Sequence, residues 1–311
     1  MLLALGFFGP GNKIEVDRHF AEFFAGDHAI TNGLRLMGYS GKEFDVRIDS
    51  RHDILTPVGF LTAVAAILSI CLGGLCWFAP PCSTWVWMSS HSTGRNVDVS
   101  GKQWVPNVVR QNVLVSRLVY LVALCWHRGV HFIIEQPSSS KMFEFPRMKK
   151  LLAKLEKLGC TIGDATVQLG CFNLEMEKEL VLKGWAPQLA TMSRKMSQME
   201  RYFMVNSGNR PTMAYHWTEN GKKKTRGGPD LKPSQSYPQG FGCHHALAFA
   251  ESAGVPTDRF PSPKELDLAD DTESDSDIPD EDPALEDINH NIPELFTGKS
   301  QLDKEMSVVL K

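Results

Sequence analysis

The sequence predicts an α/β protein in which a mostly parallel, Rossmann-like sheet carries helices on both faces. Strand-like and helix-like segments alternate between residues 19 and 182, the order that parallel strands joined by crossover helices require. Two of the strand-like segments contain short apolar runs, at residues 75–78 and 132–134, as expected for strands covered on both faces. A chain of 311 residues, 42% of them hydrophobic, is long enough to bury one large core of this kind.

The first half of this domain contains three predicted strands and two predicted helices. The strands are residues 19–24, 43–48 and 75–79, and the helices are residues 29–37 and 57–70. Gly38 is a typical C-terminal stop for the first helix. Pro80 and Pro81 end the third strand because proline has no backbone N–H to donate.

The second half continues the alternation and then loses it. Helices are predicted at residues 108–128, 146–158 and 237–253, and strands at residues 131–135, 161–169 and 179–182. Residues 206–236 are rich in Gly, Pro and Lys, and we predict a mobile loop there with a basic run at residues 222–226. Such a run can hold a phosphate backbone, although a solvated loop has the same composition.

The charge pattern divides the chain into an N-terminal extension (residues 1–19), the α/β domain (residues 20–259) and an acidic tail (residues 260–311). The tail holds 15 acidic and 4 basic residues, whereas the whole chain has a net charge of only −3. We expect the tail to be disordered, because it lacks an apolar pattern. The remaining basic domain is compatible with a nucleic-acid partner, although both features can also serve solubility.

Seven scattered cysteines, an odd number, indicate reduced thiols and an intracellular protein. No CxxC pair occurs, and residues 243–245 (CHH) are the nearest approach to a metal cluster, so we expect no metal. The apolar run at residues 54–78 is long enough to raise a membrane span. Its Gly and Pro interruptions favour a buried helix followed by a buried strand instead.

The most informative stretch is residues 75–95, where Cys82 directly follows an apolar strand and two prolines. The segment after it is rich in Ser and Thr, and we predict a polar loop there. A thiol beside the aromatic ring of Trp85 and the cation of Arg95 suits a site that holds a flat ring and attacks it. His91 and Arg95 are also candidates to lower the pKa of the thiol. The alternative is a turn with a buried structural cysteine.

Polar residues also follow the other predicted strands. Glu135 comes directly after the apolar residues 132–134, and a carboxyl there can protonate a ring that a thiolate attacks. Gly26 follows the first strand, and Asp45 lies 19 positions later, as in a ribose-binding pair. A structural acid and an ordinary strand–helix turn are the alternatives. Carboxyl ends of parallel strands share one edge, so we expect a common site.

Five blocks resemble, in order, those of the DNA (cytosine-5) methyltransferases. They are residues 23–26 (FFAG), 52–54 (HDI), 80–83 (PPCS), 134–137 (IEQP) and, more faintly, 169–182. The similarity is strongest at residues 80–83, the family's nucleophile block. Residues 80–85 (PPCSTW) and 135–139 (EQPSS) also resemble a divergent group of such sequences in algae and other protists.

The resemblance implies a methyl transfer from S-adenosylmethionine to cytosine, with Cys82 as nucleophile and Glu135 as the acid that protonates the ring. The residues implied in cofactor binding are Phe24, Ala25, Gly26, Asp45, Asp53 and Pro80. The residues expected to contact the substrate are Ser83, Trp85, Arg95, Gln136 and Lys178. Nucleic acid is the implied partner, DNA in preference to RNA, and a DNA substrate implies a nuclear protein.

Three residues depart from the family's pattern. His28 stands where the family has a second glycine, and we expect its side chain to crowd the cofactor. Gln136 stands where the family has Asn, and Lys178 is the remaining cation where the family has paired arginines. A catalytically inactive relative that binds nucleic acid or a protein is therefore the alternative function.

Overall fold

A computed structural model describes residues 14–172, 178–187, 189–206, 214–219 and 221–227. The strands are β1 (Arg18–Phe23), β2 (Gly41–Phe44), β3 (Ile70–Phe78), β4 (His131–Pro137), β5 (Gly163–Gln168), β6 (Glu179–Trp185), β7 (Ala214–Glu219) and β8 (Lys222–Gly227). The helices are α1 (Ala29–Leu36), α2 (Pro57–Leu68), α3 (Trp87–Thr93), α4 (Pro106–His127), α5 (Pro146–Lys157) and α6 (Gln198–Asn206).

Six strands form one sheet in the order β2-β1-β3-β4-β6-β5. The pairs from β2 to β4 are parallel, and the pairs β4–β6 and β6–β5 are antiparallel. The predicted α/β fold with a mostly parallel sheet is therefore confirmed. From β1 the chain passes to β2 on one side and later to β3 on the other, so β1 and β3 form the switch point where open α/β sheets bind ligands.

Hydrophobic clusters cover both faces of the sheet. In β4, Phe132 and Ile134 join the cluster that contains residues of α2, α4 and α5, whereas Ile133 joins the cluster that contains residues of α1. Neighbouring residues of a strand point to opposite faces, so a strand covered on both sides has to be apolar throughout. This explains the apolar runs at residues 75–78 of β3 and 132–134 of β4.

The largest differences from the predicted strand boundaries are at the end of β2 and at the start of β3. Strand β2 ends at Phe44 rather than at residue 48, because the following residues turn and Ile48 N donates to Asp45 O at 3.1 Å. Strand β3 begins at Ile70, before the glycines that we predicted as a turn. Gly73 has φ 77° and lies where the pairing with β1 shifts register, so it forms an irregularity inside the strand.

The segment after Cys82, predicted as a polar loop, contains the short helix α3. Its hydroxyl side chains donate to carbonyls of the preceding turn, as in Ser90 Oγ to Trp87 O at 2.7 Å and Thr93 Oγ1 to Ser89 O at 2.8 Å. Gly94 ends the helix with φ 76°. The serines that suggested a loop therefore pair within a helix.

The basic run at residues 222–226 lies in β8, which pairs antiparallel with β7, so the predicted loop is corrected to a hairpin over this part. Helix α6 was not predicted. The predicted helix at residues 237–253, the acidic tail and residues 243–245 lie outside the described residues. Within the described part of the chain, no three His, Cys, Asp or Glu side chains are grouped for a metal ion.

The apolar run at residues 54–78 divides into the 12-residue helix α2 and strand β3, so the alternative of a membrane span there is wrong. Helix α4 is long and apolar enough to cross a bilayer by length and composition, but 50% of its most apolar window is buried inside the protein. Core helices of α/β proteins pass the same test.

Candidate active site

A cavity of ≈ 580 Å³ lies at the carboxyl ends of β1 to β4. This volume falls in the range of small-molecule sites, about 300–1,000 Å³. We call its two sides the β1–β2 wall (Phe24, Gly26, Asp45 and Asp53) and the β3–β4 wall (residues 80–83, Glu135, Gln136 and Lys178). The structure thus brings together in one cavity most of the site residues that the sequence suggested.

Cys82 is placed by the end of β3. The strand's last ladder bond, from Ala79 N to Phe23 O at 3.1 Å, precedes the two prolines that turn the chain away from the sheet. The carbonyl of Cys82 then accepts from Trp85 N at 2.8 Å and from Val86 N at 3.2 Å. This turn presents the thiol to the cavity, with Pro80 buried below it and Ser83 exposed at the rim.

Burial raises the pKa of the Cys82 thiol above its usual value, the positive charge of Lys178 lowers it, and Glu135 raises it slightly further. The electrostatic effects of Lys178 and Glu135 show that both groups lie close to the thiol. His91 is exposed on α3 and Arg95 is buried in the core, so our prediction that these two residues supply the cation is wrong. Lys178, at the start of β6, has that role.

Glu135 and Gln136 directly precede Pro137, the last residue of β4, and are only 5% and 0% exposed. Gln136 Nε2 donates to Pro80 O at 2.6 Å, and Ser140 Oγ donates to Gln136 Oε1 at 2.7 Å. Both ends of the amide are therefore paired within the protein. Gln136 fixes the end of β4 to the segment that carries Cys82, and this is a structural role.

Trp85 and Arg95 do not line the cavity, which corrects their assignment as substrate contacts. Both side chains are fully buried, and the Arg95 guanidinium carbon lies 3.3 Å from the centroid of the Trp85 ring. The guanidinium donates to Asn112 Oδ1 at 2.9 Å and to Thr84 Oγ1 at 3.3 Å. Burial lowers the pKa of Arg95 to about 10, so it stays protonated at neutral pH. The pair supports the Cys82 segment from behind.

On the β1–β2 wall, the chain leaves β1 in a left-handed conformation at Phe24, with φ 61°. Phe24 N donates to Phe44 O at 2.7 Å, and Gly26 N donates to the carboxylate of Asp45 at 3.1 Å. Ala25 is fully buried behind this turn and does not line the cavity, so its expected cofactor contact is also corrected. Backbone strain held in this way is frequent at ligand sites.

Asp53 closes the same wall just before α2. Its carboxylate accepts from Leu55 N at 2.9 Å and lies 3.4 Å from the guanidinium of Arg110 on α4. His28 has φ 59° and does not line the cavity, so our prediction that it crowds the cofactor is wrong. Its backbone takes the left-handed conformation that a glycine adopts at no cost.

The sequence analysis missed several residues that line the cavity. They are Arg47, Arg110, Gln111 and Leu114. The last three lie near the start of α4, and helices that return from parallel strands begin at the carboxyl edge of the sheet. A polar pair at positions 111 and 112 inside an apolar helix was the signal that could have identified this part of the site.

The chain was also compared with known proteins. No protein-family model matches the sequence, and no curated protein matches it. Two similar solved structures are the Entamoeba histolytica methyltransferase EhMeth (12% identity, TM-score 0.33, covering 57% of this chain and 55% of that one) and the S. pombe Dnmt2 methyltransferase (11% identity, TM-score 0.32, covering 58% and 56%). This chain thus matches little more than half the length of each. The similarity to an algal and protist group stays a prediction.

Proposed function

We propose that this protein is an S-adenosylmethionine-dependent methyltransferase that forms 5-methylcytosine in nucleic acid, DNA in preference to RNA. One observation carries the proposal: a thiol, a buried carboxyl and a lysine, namely Cys82, Glu135 and Lys178, line one cavity at the switch point of the sheet. A thiol and a carboxyl that interact in one concave site are the groups needed for addition to an aromatic ring.

The β1–β2 wall fits the cofactor. Gly26 has φ 56°, which glycine adopts without strain, and it lines the cavity without a side chain, so a ligand can approach the backbone there. The carboxylates of Asp45 and Asp53 line the same wall and suit the hydroxyl groups of a nucleoside. When bound, the cofactor supplies an electrophilic methyl group beside the β3–β4 wall.

The residues of the β3–β4 wall account for the chemistry on the base. Lys178 favours the thiolate of Cys82, which adds to carbon 6 of a cytosine turned out of its stack. Glu135 gives a proton to the ring nitrogen, so carbon 5 becomes nucleophilic and accepts the methyl group. The proton on carbon 5 then passes to a water molecule acting as base, the double bond between carbons 5 and 6 re-forms as the Cys82 thiolate leaves, and the ring nitrogen returns its proton to Glu135.

Methyl transfer from labelled cofactor to a mixture of DNA and RNA tests the proposal. We expect Cys82→Ser and Glu135→Gln each to lower the rate by about 10³-fold while binding of S-adenosylhomocysteine persists. Cys71→Ser is the matched control, because Cys71 is half-buried in β3 away from the cavity. Wild-type rates in both active-site variants would remove Cys82 and Glu135 from the mechanism.

The raised pKa of Cys82 favours a second candidate, a binding module without transfer activity, because a protonated thiol is a weak nucleophile. In that case the wild-type protein binds S-adenosylhomocysteine or nucleic acid but transfers no methyl group to any substrate in the mixture. The same assay therefore separates the two candidates.

A further inference from the structure

Gln111 is a buried amide on the wall of the cavity, on the second turn of α4. Its side chain is only 7% exposed, and it lines the cavity together with Arg110 and Leu114. Among the described residues, no group hydrogen-bonds to its Oε1 atom. Buried polar atoms in proteins are nearly always paired, so an unpaired one in a cavity wall indicates a partner that the protein itself does not provide.

The next residue shows that this helix can satisfy a buried amide when the fold requires it. Asn112 is also buried, but its Oδ1 accepts from Arg95 at 2.9 Å and its Nδ2 donates to Ser100 O at 2.8 Å. Asn112 faces the core and Gln111 faces the cavity. Gln111, whose side-chain oxygen has no hydrogen-bond partner among the described residues, is therefore the amide that a ligand in the cavity can reach.

Gln111 lies on the side of the cavity that the β1–β2 wall forms. Its neighbour Arg110 lies 3.4 Å from Asp53, and Arg117 Nη1 donates to Ile54 O at 2.5 Å. These contacts hold the first turns of α4 against the segment that precedes α2. A nucleoside held by the β1–β2 wall would therefore lie beside the turn of α4 that carries Gln111.

We propose that Gln111 determines specificity for adenine, with its side-chain oxygen accepting a hydrogen bond from the exocyclic amine of the cofactor. This inference rests on the proposed function. An amide oxygen needs an N–H donor, and the adenine edge offers one at the 6-position beside a ring nitrogen. Glutamine and asparagine pair with that edge in protein–DNA complexes for the same reason.

Calorimetric titration with S-adenosylhomocysteine and with its 6-deamino analogue, in which purine replaces adenine, tests the proposal. We expect the wild-type protein to bind the adenine compound about tenfold more tightly, the effect of one buried hydrogen bond. Gln111→Met should bind both compounds equally, and Gln111→Glu, which keeps an acceptor, should retain the preference. Gln198→Met, on the exposed start of α6, is the matched control and should behave as wild type.

The ratio of the two affinities is measured within each protein, so a partly unfolded variant still reports it. An unchanged ratio in Gln111→Met overturns the inference while the proposed function stands. So does a variant that keeps the ratio but loses methyl transfer to cytosine, because Gln111 then contacts the target base. A wild-type protein that does not bind S-adenosylhomocysteine overturns both the inference and the proposed function.

Discussion

The two walls of the cavity are held in different ways. The β3–β4 wall rests on buried contacts, such as the bond from Gln136 to Pro80 O and the stacking of Arg95 on Trp85. The β1–β2 wall is closed by ion pairs at the surface: the arginines that face Asp45 and Asp53 are 64% and 60% exposed. Buried contacts fix a geometry, whereas exposed ion pairs contribute little and exchange readily.

This difference matches the work proposed for each wall. Attack on a ring needs the thiol and the carboxyl at a fixed separation, because a small misplacement strongly lowers the rate. A wall that admits and releases a nucleoside has to open and close around it. We therefore infer that substitutions behind the β3–β4 wall alter stability most, and that those in the ion pairs of the β1–β2 wall alter it least.

The largest effect is expected for Arg95→Ala. The substitution removes the group that covers Trp85 and leaves the acceptors of Thr84, Val99 and Asn112 without their donor. We expect a loss of about 4 kcal/mol in the free energy of unfolding, from the cavity and the unpaired acceptors together. Chemical denaturation measures it.

Arg95→Lys is the informative companion to Arg95→Ala. Lysine keeps the charge but lacks the planar fork that reaches several acceptors, so we expect an intermediate loss. Arg147→Ala, at an exposed position on α5, is the control for removing an arginine. Equal stability of Arg95→Ala and the control contradicts the view that buried contacts hold the β3–β4 wall.

Glu22, on β1 and outside the lining of the cavity, gives the stability of the protein a dependence on pH. This buried carboxyl on β1 accepts from Thr31 N at 2.8 Å in the first turn of α1, and burial raises its pKa to about 7. The folded state binds the proton more tightly than the unfolded chain, so the stabilisation is complete below about pH 4.5 and is lost as the pH rises to about 7. The free energy of unfolding falls by roughly 3 kcal/mol over this interval.

Glu22→Gln cannot ionise, so its stability should not fall across this interval. The free energy of unfolding, measured from about pH 5 to pH 8, checks the prediction, and its value at about pH 4.5 is the reference. Glu15→Gln removes an exposed carboxyl and is the control. Parallel pH profiles for wild type and Glu22→Gln contradict it.

The third-largest effect on stability is expected for Gln136→Ala, which tests the hydrogen-bonded link between β4 and the Cys82 segment. The loss of two buried hydrogen bonds, to Pro80 O and from Ser140, should cost about 2 kcal/mol in the free energy of unfolding. Gln136→Glu keeps the acceptor for Ser140 but loses the donor for Pro80, so it removes only the hydrogen bond that joins β4 to the Cys82 segment. We expect both variants to change the rate at which iodoacetamide alkylates Cys82. An unchanged rate would show that the link does not position the thiol.

The sequence predicted the parts of the fold that depend on local pattern. Apolar runs gave the core strands, and the prolines after β3 located Cys82 at the edge of the sheet. The sequence also predicted that Glu135 lies in the same site as Cys82, because the carboxyl ends of parallel strands share that edge. These features are set by period and by backbone chemistry, which a single sequence displays.

Contacts between distant residues were not predictable in the same way. Trp85 and Arg95 were interpreted as ligand contacts because they lie near Cys82 in the chain, but Asn112, 17 positions after Arg95, draws the guanidinium into the core. Glu22 gave no signal, and the polar pair at residues 111 and 112 did not show which of its side chains faces the cavity, since a polar residue inside an apolar segment has the same pattern whether it is buried or exposed. Only the three-dimensional structure shows which polar groups share a buried space.

The smallest effect is expected for Arg110→Gln, which removes the ion pair with Asp53. Exposed pairs contribute roughly 0.2–1 kcal/mol, and about 1 M salt shortens the screening length to about 3 Å, so the effect should vanish there. Asp53→Asn, which can still accept from Leu55 N, completes a double-mutant cycle whose coupling energy is the quantity measured. A coupling above about 2 kcal/mol that persists in salt means that this pair acts as a buried one. The two walls are then held alike, and the adaptable β1–β2 wall inferred from the exposed arginines does not exist.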